Sequence, residues 1–412
     1  MSAPRPPWPQ ASLASLVAAA VVLLAAPCPL SARTIAEQLH QFIDRHGFPY
    51  RSEFPEAITP IIERLAVRGV DFPVTATALG FTYRFNFELG VPERSSDSLG
   101  PVFVERADTV GRRRLDVGLV YLHANLTRFD GDEFADQIVT AATVTVPGFD
   151  KPVRQGFAAK DFSLVSDIFS LSATYGVTER LDVNVLLPLV RTSLDLSGTA
   201  MAMVIGGPRV TEEVGFSANA FGVGDLFLRA KYRFLDEPVK VASILALRLP
   251  TGEEGDFHGI GDTTVYSGLV VSRTFGRNDL HGSLGVEIDA DDLERTRARY
   301  AVGVSLQPLA RLAFLADVIG SSSFVDDTFT IPNPAGPLLG TDRLFGNDAL
   351  IEAVRPNEIV AFVPRSDVVD IALGLKVSLG EGGVAFAGVI LPLTTDGLRA
   401  QVIPNAGVQW TF

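Results

Sequence analysis

The sequence predicts an all-β fold, a transmembrane antiparallel β-barrel of about 14 strands with 12 as the alternative, and a short helical N-terminal segment before it. Three observations predict this class. Apolar and polar residues alternate along most of the chain, short and long connections alternate between the predicted strands, and the chain ends on the aromatic residue Phe412. Alternation gives each strand one apolar and one polar face, as in a sheet that separates lipid from a polar interior.

Residues 1–32 have the pattern of a cleaved signal peptide. Arg5 supplies a weak positive start, residues 11–26 are apolar apart from two serines, and residues 30–32 offer small side chains for cleavage before Arg33. This apolar stretch is short for a transmembrane helix and is followed by two prolines. We therefore expect an exported protein whose mature chain begins at Arg33.

The cysteine content and the charge argue against a disulfide-stabilised protein, a lipoprotein and a nucleic-acid-binding protein. Cys28 is the only cysteine, and it is lost on cleavage, so the mature chain cannot form disulfides. Pro27 stands where a lipoprotein signal requires a small residue, which disfavours lipidation of Cys28. The formal net charge of −13 indicates no nucleic-acid partner.

Residues 33–75 are expected to be a periplasmic helical segment. Ile35, Leu39 and Phe42 recur at helical spacing, and Pro55 begins a second amphipathic stretch that ends at Gly69. The helices could plug the barrel, pack beneath it or bind a periplasmic partner.

Residues 76–412 are expected to form the barrel. In the first predicted strand, Phe81, Tyr83 and Phe85 alternate with polar residues, and the same division recurs along the chain. The 14 predicted strands are each long enough to cross a bilayer at a tilt. They begin near residues 76, 113, 136, 161, 181, 223, 239, 263, 280, 297, 310, 367, 384 and 398.

The connections between these strands fall into two classes. Long connections are rich in Gly, Pro, Asp and Ser, as at residues 194–222, 250–262, 289–296 and 320–366, and tight turns lie between them, as at 178–180, 236–238, 276–279, 308–309 and 380–383. Short periplasmic turns and long external loops are typical of outer-membrane barrels. With an even number of strands, both termini are expected in the periplasm; a soluble β-sandwich explains the alternation but not the signal peptide and the turn asymmetry together.

The last eight residues resemble the C-terminal signature by which outer-membrane barrels are recognised for insertion. The residues that carry the resemblance are Asn405, Gly407, Trp410 and Phe412. Trp410 and Phe412 fall on one face of the closing strand, where they could join an interfacial aromatic girdle. The barrel-assembly machinery is therefore an expected partner.

The polar face of the predicted strands carries charges of both signs. If the strand phases hold, these residues point into the lumen: Arg84, Glu88, Asp225, Arg229, Lys231, Arg233, Arg248, Arg299, Asp370, Lys376 and Arg399. They could pair across strands and stabilise a narrow barrel, or set the electrostatics of a passage. Both roles stay open at this point.

Four stretches resemble the outer-membrane protein family named for the meta-cleavage pathway of phenol degradation, which is related to fatty-acid and aromatic-hydrocarbon channels. They are Ser95–Tyr121, Tyr175–Val190, Gly222–Phe234 and Leu247–Gly261. The resemblance implies a channel for small, poorly soluble organic molecules. The fatty-acid channels begin with an Asn-Pro-Phe motif that acts in their plug, and this N-terminal region lacks it.

The residues do not predict an enzyme, a metal site or a cofactor. His281 replaces the first glycine of a nucleophile elbow at residues 281–285, and no helix follows. The five histidines show no metal-ligand spacing, and the acidic groups at 130–133 and 289–294 do not fit a calcium loop. Loose binding of a divalent cation that bridges lipid phosphates is the alternative for these acidic loops.

The expected function is passive uptake of small hydrophobic or aromatic compounds through the bacterial outer membrane, with lipid and lipopolysaccharide around the barrel. The alternative is a structural or surface-binding barrel that acts through its long external loops and keeps a closed lumen.

Overall fold

The fold is taken from a computed structural model of the chain. It describes residues 33–46, 71–86, 91–94, 98–133, 138–144, 151, 153–332, 340–344, 351–354, 358–380 and 382–412. Residues 34–412 form one compact unit. The predicted signal peptide and the second predicted helix fall outside the described residues. Among the described helices, none is long and apolar enough to span a bilayer.

A closed antiparallel ring of 12 strands forms the barrel wall. The ring follows chain order, because each strand pairs with the next and the last pairs with the first. Its members are β3 (Leu115–Phe129), β6 (Val153–Gly176), β7 (Leu181–Val204), β9 (Leu226–Leu235), β10 (Lys240–Leu249), β11 (Thr264–Phe275), β12 (Asn278–Asp289), β13 (Arg297–Leu309), β14 (Leu312–Ser323), β19 (Asp367–Ser378), β20 (Gly383–Pro392) and β22 (Ile403–Thr411).

Further strands extend the wall beyond the ring at one end. They are β4 (Asp132–Glu133), β5 (Ile138–Val144), β8 (Arg209–Val223), β16 (Gly340–Leu344) and β21 (Leu398–Ala400). β8 pairs with residues 189–203 of β7, and β9 pairs with residues 181–186 of the same strand. A separate three-stranded sheet contains β15 (Asp327–Pro332), β17 (Ile351–Val354) and β18 (Glu358–Val363).

The fold class is therefore confirmed with the smaller of the two strand numbers. The strand predicted near residue 136 corresponds to β5, which lies in the extension. The strand predicted near residue 76 was wrong: residues 71–82 are not in a strand, and β1 (Tyr83–Asn86) pairs only with β2 (Val91–Arg94). Alternation alone could not distinguish this segment from a strand of the wall, because a buried extended segment produces the same pattern.

The two ends of the barrel differ as the turns predicted. One end carries the short turns at 177–180, 236–239, 276–277 and 310–311 and the short connection between β19 and β20, together with the start of β3 and the end of β22. We call it the short-turn end. The opposite end carries the long connections and the strand extensions, and we call it the long-loop end.

The outer face of the ring is a belt of exposed apolar side chains. On β7 the belt includes Val183 and Val185, and the outward positions from Arg191 to Thr199 are polar. Exposed aromatic residues mark the short-turn edge of the belt, including Tyr175, Tyr232 and Phe275. Amphipathic aromatic side chains favour this position at a membrane surface.

Helix α1 (Ile35–His46) lies at the long-loop end, although the sequence led us to expect it at the short-turn end. Thr34 and Glu37 form a capping box, in which each side chain accepts a hydrogen bond from the other residue's backbone N–H at 3.2 Å. The Ile35 N–H donates to Asp256 in the long β10–β11 loop at 2.8 Å. Phe42 packs on Phe216 of β8, with ring centroids 5.3 Å apart.

The C-terminal strand closes the ring against β3. The Phe412 N–H donates to the Leu115 carbonyl at 2.8 Å. Gly407 lies beneath the Phe386 ring, and a Cβ at this position would come within 2.5 Å of that ring. Trp410 covers Gly383 in the same way and is exposed on the outer face, as is Phe412, while Asn405 is buried. These contacts explain a glycine and an aromatic residue in this strand on packing grounds.

Candidate transport path

Two stretches of the chain lie inside the barrel, and together we call them the internal segment: residues 71–82 and 98–110. Most of their described side chains are buried. The two stretches bond to each other, since the Ala76 N–H donates to the Val102 carbonyl at 2.9 Å and Glu105 accepts from the Thr77 N–H at 2.8 Å. The internal segment is therefore the plug of this barrel, a role the sequence analysis offered to the N-terminal helices.

The first stretch runs along the barrel from one end to the other. Asp71 contacts Arg248 and Arg299, which stand near the long-loop ends of β10 and β13. Gly80, at the other end of the stretch, lies against Thr411 near the short-turn end. The second stretch crosses the lumen near the short-turn end, where the Leu99 N–H donates to Gln307 at 3.1 Å.

Charged side chains of the wall satisfy the backbone of the internal segment. Arg229 donates to the Thr75 carbonyl at 2.6 Å, Lys231 to the Arg106 carbonyl at 3.0 Å, and Lys376 to the Pro101 carbonyl at 2.9 Å. A backbone without a sheet partner needs such bonds when it is buried. The inward charges therefore bind the plug. The sequence analysis had considered only pairing across strands and the electrostatics of a passage.

Two wall carboxylates that the sequence analysis did not select serve the same purpose. Asp317 accepts from the Phe103 N–H at 3.2 Å, and Asp182 accepts from the Val110 N–H at 2.9 Å. Both lie on the inward phase of their strands, Asp317 as the one acid of β14 and Asp182 beside the apolar residues that begin β7. That pattern was the available signal for both residues.

The 11 residues predicted to line the lumen have different positions. Seven are buried in the wall, namely Asp225, Arg229, Lys231, Arg233, Arg248, Asp370 and Lys376. Arg299 and Arg399 are half-buried and line a cavity at the long-loop end. Arg84 belongs to β1, outside the ring, and its side chain is not described; Glu88 lies outside the described residues.

Three arginines converge on one carboxylate at the start of the internal segment. Asp71 Oδ1 lies 2.6 Å from Arg248 Nη1, and Asp71 Oδ2 lies 2.6 Å from Arg297 Nη2 and 2.9 Å from Arg299 Nη2. We call these four residues the Asp71 cluster. The Asp71 side chain is 7% exposed, so the pairs are little screened by water.

Two further acids balance the charge of the Asp71 cluster. Glu287 pairs with both Arg297 and Arg299 at 2.6 Å, and Asp225 pairs with Arg248 at 2.7 Å. Buried ion pairs contribute little net stability over apolar packing, but removing one member leaves an uncompensated charge. The arrangement therefore depends strongly on Asp71.

Two cavities share the residues Asp71, Phe72 and Pro73 as a common wall. The outer cavity, of about 130 Å³, opens toward the long-loop end and combines apolar side chains such as Ile260 and Leu398 with several acids and arginines. The inner cavity, of about 70 Å³, is lined mainly by apolar side chains of the lumen. Residues 71–73 thus divide one path into two chambers.

The β10–β11 loop gives the outer cavity a carboxyl group that titrates near neutral pH. Burial raises the pKa of Asp262 to about 6, assisted by the nearby charges of Asp289 and Glu254 and opposed by Arg295. Asp262 and Arg295 form an ion pair across the mouth. The negative charge of the mouth therefore falls as the pH drops below about 6.

Asp262 leads to a prediction for ion permeability. Between pH 7 and pH 5 the cation-to-anion permeability ratio should fall by about twofold, because a protonated Asp262 no longer attracts cations to the mouth. Reversal potentials across planar bilayers in a salt gradient measure the ratio. Asp262→Asn should have the low ratio at both pH values, and an unchanged pH response in this variant would contradict the assignment.

The acids of this mouth already have partners within their loops. Ligand atoms of Asp262, Asp289 and Asp291 lie within 4.8 Å of one another. However, Asp289 accepts the N–H groups of Asp291 and Asp292 at 3.0 Å, and Asp291 accepts that of Thr263 at 2.8 Å. This cluster is therefore explained by the conformation of its loops.

A serine, a histidine and an aspartate meet on the inward face near the short-turn end, the arrangement that would favour an enzyme. Ser272 Oγ lies 2.8 Å from His281 Nδ1, and Asp279 lies 3.8 Å from His281 Nε2. The latter distance is too long for a hydrogen bond. Ser272 is 2% exposed and accepts the Ala107 N–H of the internal segment at 2.9 Å, so the plug covers its hydroxyl.

The solved structures that the chain matches include outer-membrane proteins of Pseudomonas. An outer membrane channel from Pseudomonas putida F1 is 13% identical, with a TM-score of 0.43, and the alignment covers 74% of this chain and 98% of that one. The P. putida toluene transporter TodX is 12% identical, with a TM-score of 0.33 and coverages of 73% and 89%. A Pseudomonas aeruginosa FadL homologue is 11% identical, with a TM-score of 0.33 and the same coverages.

A search of curated protein sequences found no match. A family match is present in the barrel and includes three of the four stretches named above, all but Ser95–Tyr121. Residues 135–314 match the family described as "Putative MetA-pathway of phenol degradation", and this match confirms the resemblance predicted from the sequence.

Proposed function

We propose that this protein is an outer-membrane channel for the passive uptake of small hydrophobic or aromatic compounds. The observation that carries the proposal is the divided path: two chambers inside a closed barrel, separated by residues 71–73 of the internal segment. This partition is held by ion pairs at Asp71. The family match of residues 135–314 supports an aromatic solute.

Solute enters the outer cavity from the long-loop end and reaches the inner cavity when residues 71–73 move. An engineered cavity of about 150 Å³ holds one benzene ring. The outer cavity, at about 130 Å³, approaches that size, and the inner cavity is about half of it. A single ring is therefore too large for the inner cavity alone and enters it only when the two chambers join.

The test of this function is uptake into liposomes. Vesicles that contain the purified protein should take up radiolabelled toluene faster than empty vesicles, with no energy source. Vesicles with a heat-denatured sample of the same protein are the control. Equal rates in all three preparations would contradict the proposal and favour a barrel that acts through its external loops.

The apolar belt supports the outer-membrane location and leads to a stability prediction. Leu284 on β12 is 64% exposed within the belt, whereas Leu293, in a short 3-10 helix of a long loop, is 72% exposed. Leu284→Arg should lower the free energy of unfolding by about 2–4 kcal/mol, because it places a charge in the bilayer. Leu293→Arg should change it by less than about 0.5 kcal/mol.

Urea unfolding of the protein folded into liposomes measures both variants. The two leucines have similar exposure, so a soluble barrel would tolerate both substitutions equally. That result would contradict a membrane-spanning belt.

Export and insertion complete the proposal. Residues 1–32 act as a cleaved signal peptide, and the barrel-assembly machinery recognises the strand that ends in Trp410 and Phe412. Both aromatic side chains are exposed on the outer face, which leaves them accessible to a partner or to lipid. Lipopolysaccharide would surround the polar outer face of the strand extensions beyond the belt. No catalytic step, metal or cofactor forms part of this proposal.

A further inference from the structure

Three buried polar side chains line the inner cavity, and each has one polar atom that makes no hydrogen bond to the residues that the structure describes. Thr75 belongs to the internal segment, Ser166 to β6 and His258 to the β10–β11 loop, and all three line the cavity. They are 5%, 0% and 6% exposed. Thr75 Oγ1, Ser166 Oγ and His258 Nε2 have no hydrogen-bond partner among the residues that the structure describes.

Such atoms are costly in an apolar chamber. Leaving a buried donor or acceptor unpaired costs about 1–3 kcal/mol. A native cavity with three such atoms therefore needs a partner for them, which is either water or a bound ligand. Apart from Ser170 and the mutually paired charges of Asp71, Arg248 and Asp225, the rest of the wall is apolar and rich in aromatic rings. Phe72, Phe103, Phe227 and Phe257 lie around the same space. Apolar walls with a few converging polar atoms are typical of small-molecule sites.

The hydrogen bonding of His258 determines what it can offer. Its ring bonds to the backbone of Ala220, and a Cβ at Gly222 would lie 2.8 Å from Nδ1, so Nδ1 is the nitrogen that faces β8. A backbone carbonyl accepts, so Nδ1 carries the proton. Burial lowers the pKa of His258, which keeps the ring neutral at pH 7. Nε2 therefore presents a free lone pair, which accepts a hydrogen bond and repels an anion.

The two hydroxyl groups are more versatile. Ser166 and Thr75 can each donate or accept, because a hydroxyl rotates to suit its partner. A ligand hydroxyl could donate to His258 Nε2 and accept from Ser166 or Thr75. A hydrocarbon ring would leave all three atoms unpaired, and a carboxylate would bring its charge toward the His258 lone pair.

We propose that Thr75, Ser166 and His258 form a hydrogen-bonding subsite that selects a neutral one-ring aromatic compound with a hydroxyl group over the bare hydrocarbon. The subsite rests on the proposed uptake function and specifies the class of solute. The ring enters when residues 71–73 move and the chambers join. It then packs on the phenylalanine side chains, and its hydroxyl group reaches the three polar atoms.

The test compares phenol with toluene, two rings of similar size. Equilibrium dialysis of the detergent-solubilised full-length mature protein at pH 7 measures the dissociation constant of each radiolabelled compound. Phenol should bind at least about fivefold more tightly than toluene, as expected for one net hydrogen bond. Benzoate should bind more weakly than phenol. Equal affinity for phenol and toluene would overturn the subsite and show that the three atoms meet water only.

Substitutions identify the atoms. Ser166→Ala and Thr75→Val should each weaken phenol binding by about threefold to tenfold and change toluene binding by less than about twofold. Ser305→Ala is the matched control, since Ser305 is also 0% exposed on an inward face with an unpaired Oγ among the described residues, but does not line the cavity. A loss of phenol binding in this control equal to that in Ser166→Ala would overturn the assignment.

The uptake assay separates failure of the subsite from failure of the function. If protein-containing liposomes take up both compounds faster than empty ones but Ser166→Ala keeps the full preference for phenol, the subsite is wrong and the channel stands. If neither compound enters faster than into empty liposomes, the uptake function itself is contradicted, and the subsite falls with it.

Discussion

Asp71→Asn should open the path and raise toluene uptake into liposomes by at least about tenfold. The substitution keeps the shape of the side chain but removes the charge that Arg248, Arg297 and Arg299 share. Removing one member of a buried ion pair costs about 3–5 kcal/mol, and every 1.4 kcal/mol changes an equilibrium about tenfold. Residues 71–73 should therefore leave the closed position in a much larger fraction of molecules.

The matched control for this variant is Asp370→Asn. Asp370 is also buried, lines the outer cavity and pairs with Arg399, yet both residues belong to the barrel wall. Its loss should leave uptake within about twofold of the unmodified protein, because no bond to the internal segment breaks. Equal acceleration in the two variants would show that the mouth charge controls uptake and that the Asp71 cluster does not close the path.

A disulfide between the internal segment and the wall should have the opposite effect. A Cβ at Gly80 would lie 2.9 Å from Thr411 Oγ1, which suits the spacing of a Cβ and the far sulfur in a disulfide. Gly80→Cys combined with Thr411→Cys should therefore cross-link on oxidation. If the first stretch must shift as a unit for solute to pass, the oxidised protein should take up toluene at least about tenfold more slowly, and a reducing agent should restore the rate.

The cysteine content of the sequence leaves the two introduced cysteines without a competing partner. Cys28 is the only cysteine of the chain, so residues 33–412 contain none that could mispair. The two single-cysteine variants serve as controls and should respond to neither oxidant nor reductant. Equal uptake by the oxidised and reduced double variant would show that solute passes without movement of the first stretch near Gly80.

The wall of the barrel was predictable from local pattern. A strand that separates lipid from a polar interior must alternate, so the period of two located all 12 ring strands, and turn length separated the two ends. The same reasoning placed Arg229, Lys231 and Lys376 on the polar face. Each of these conclusions depends on neighbours in sequence or on one repeated spacing.

The internal segment was not predictable in this way. Residues 71–82 were assigned in part to a wall strand, because Phe81 and Tyr83 alternate with polar residues. Residues 98–110 lay between two predicted strands, and the sequence analysis assigned them no element of their own. Their hydrogen bonds go to side chains such as Lys231 and Asp317, which are distant in sequence. A backbone that is satisfied by distant side chains leaves no periodic trace of its own.

Sequence alone therefore determined the barrel, its apolar belt, the asymmetry of its ends and the family resemblance, because each follows from a repeated local pattern or a short motif. Only the tertiary structure decided what fills the lumen. Asp71 is one aspartate among many until closure of the ring brings Arg248 of β10 together with Arg297 and Arg299 of β13. The same closure brings Thr75, Ser166 and His258, from three separate parts of the chain, to one cavity.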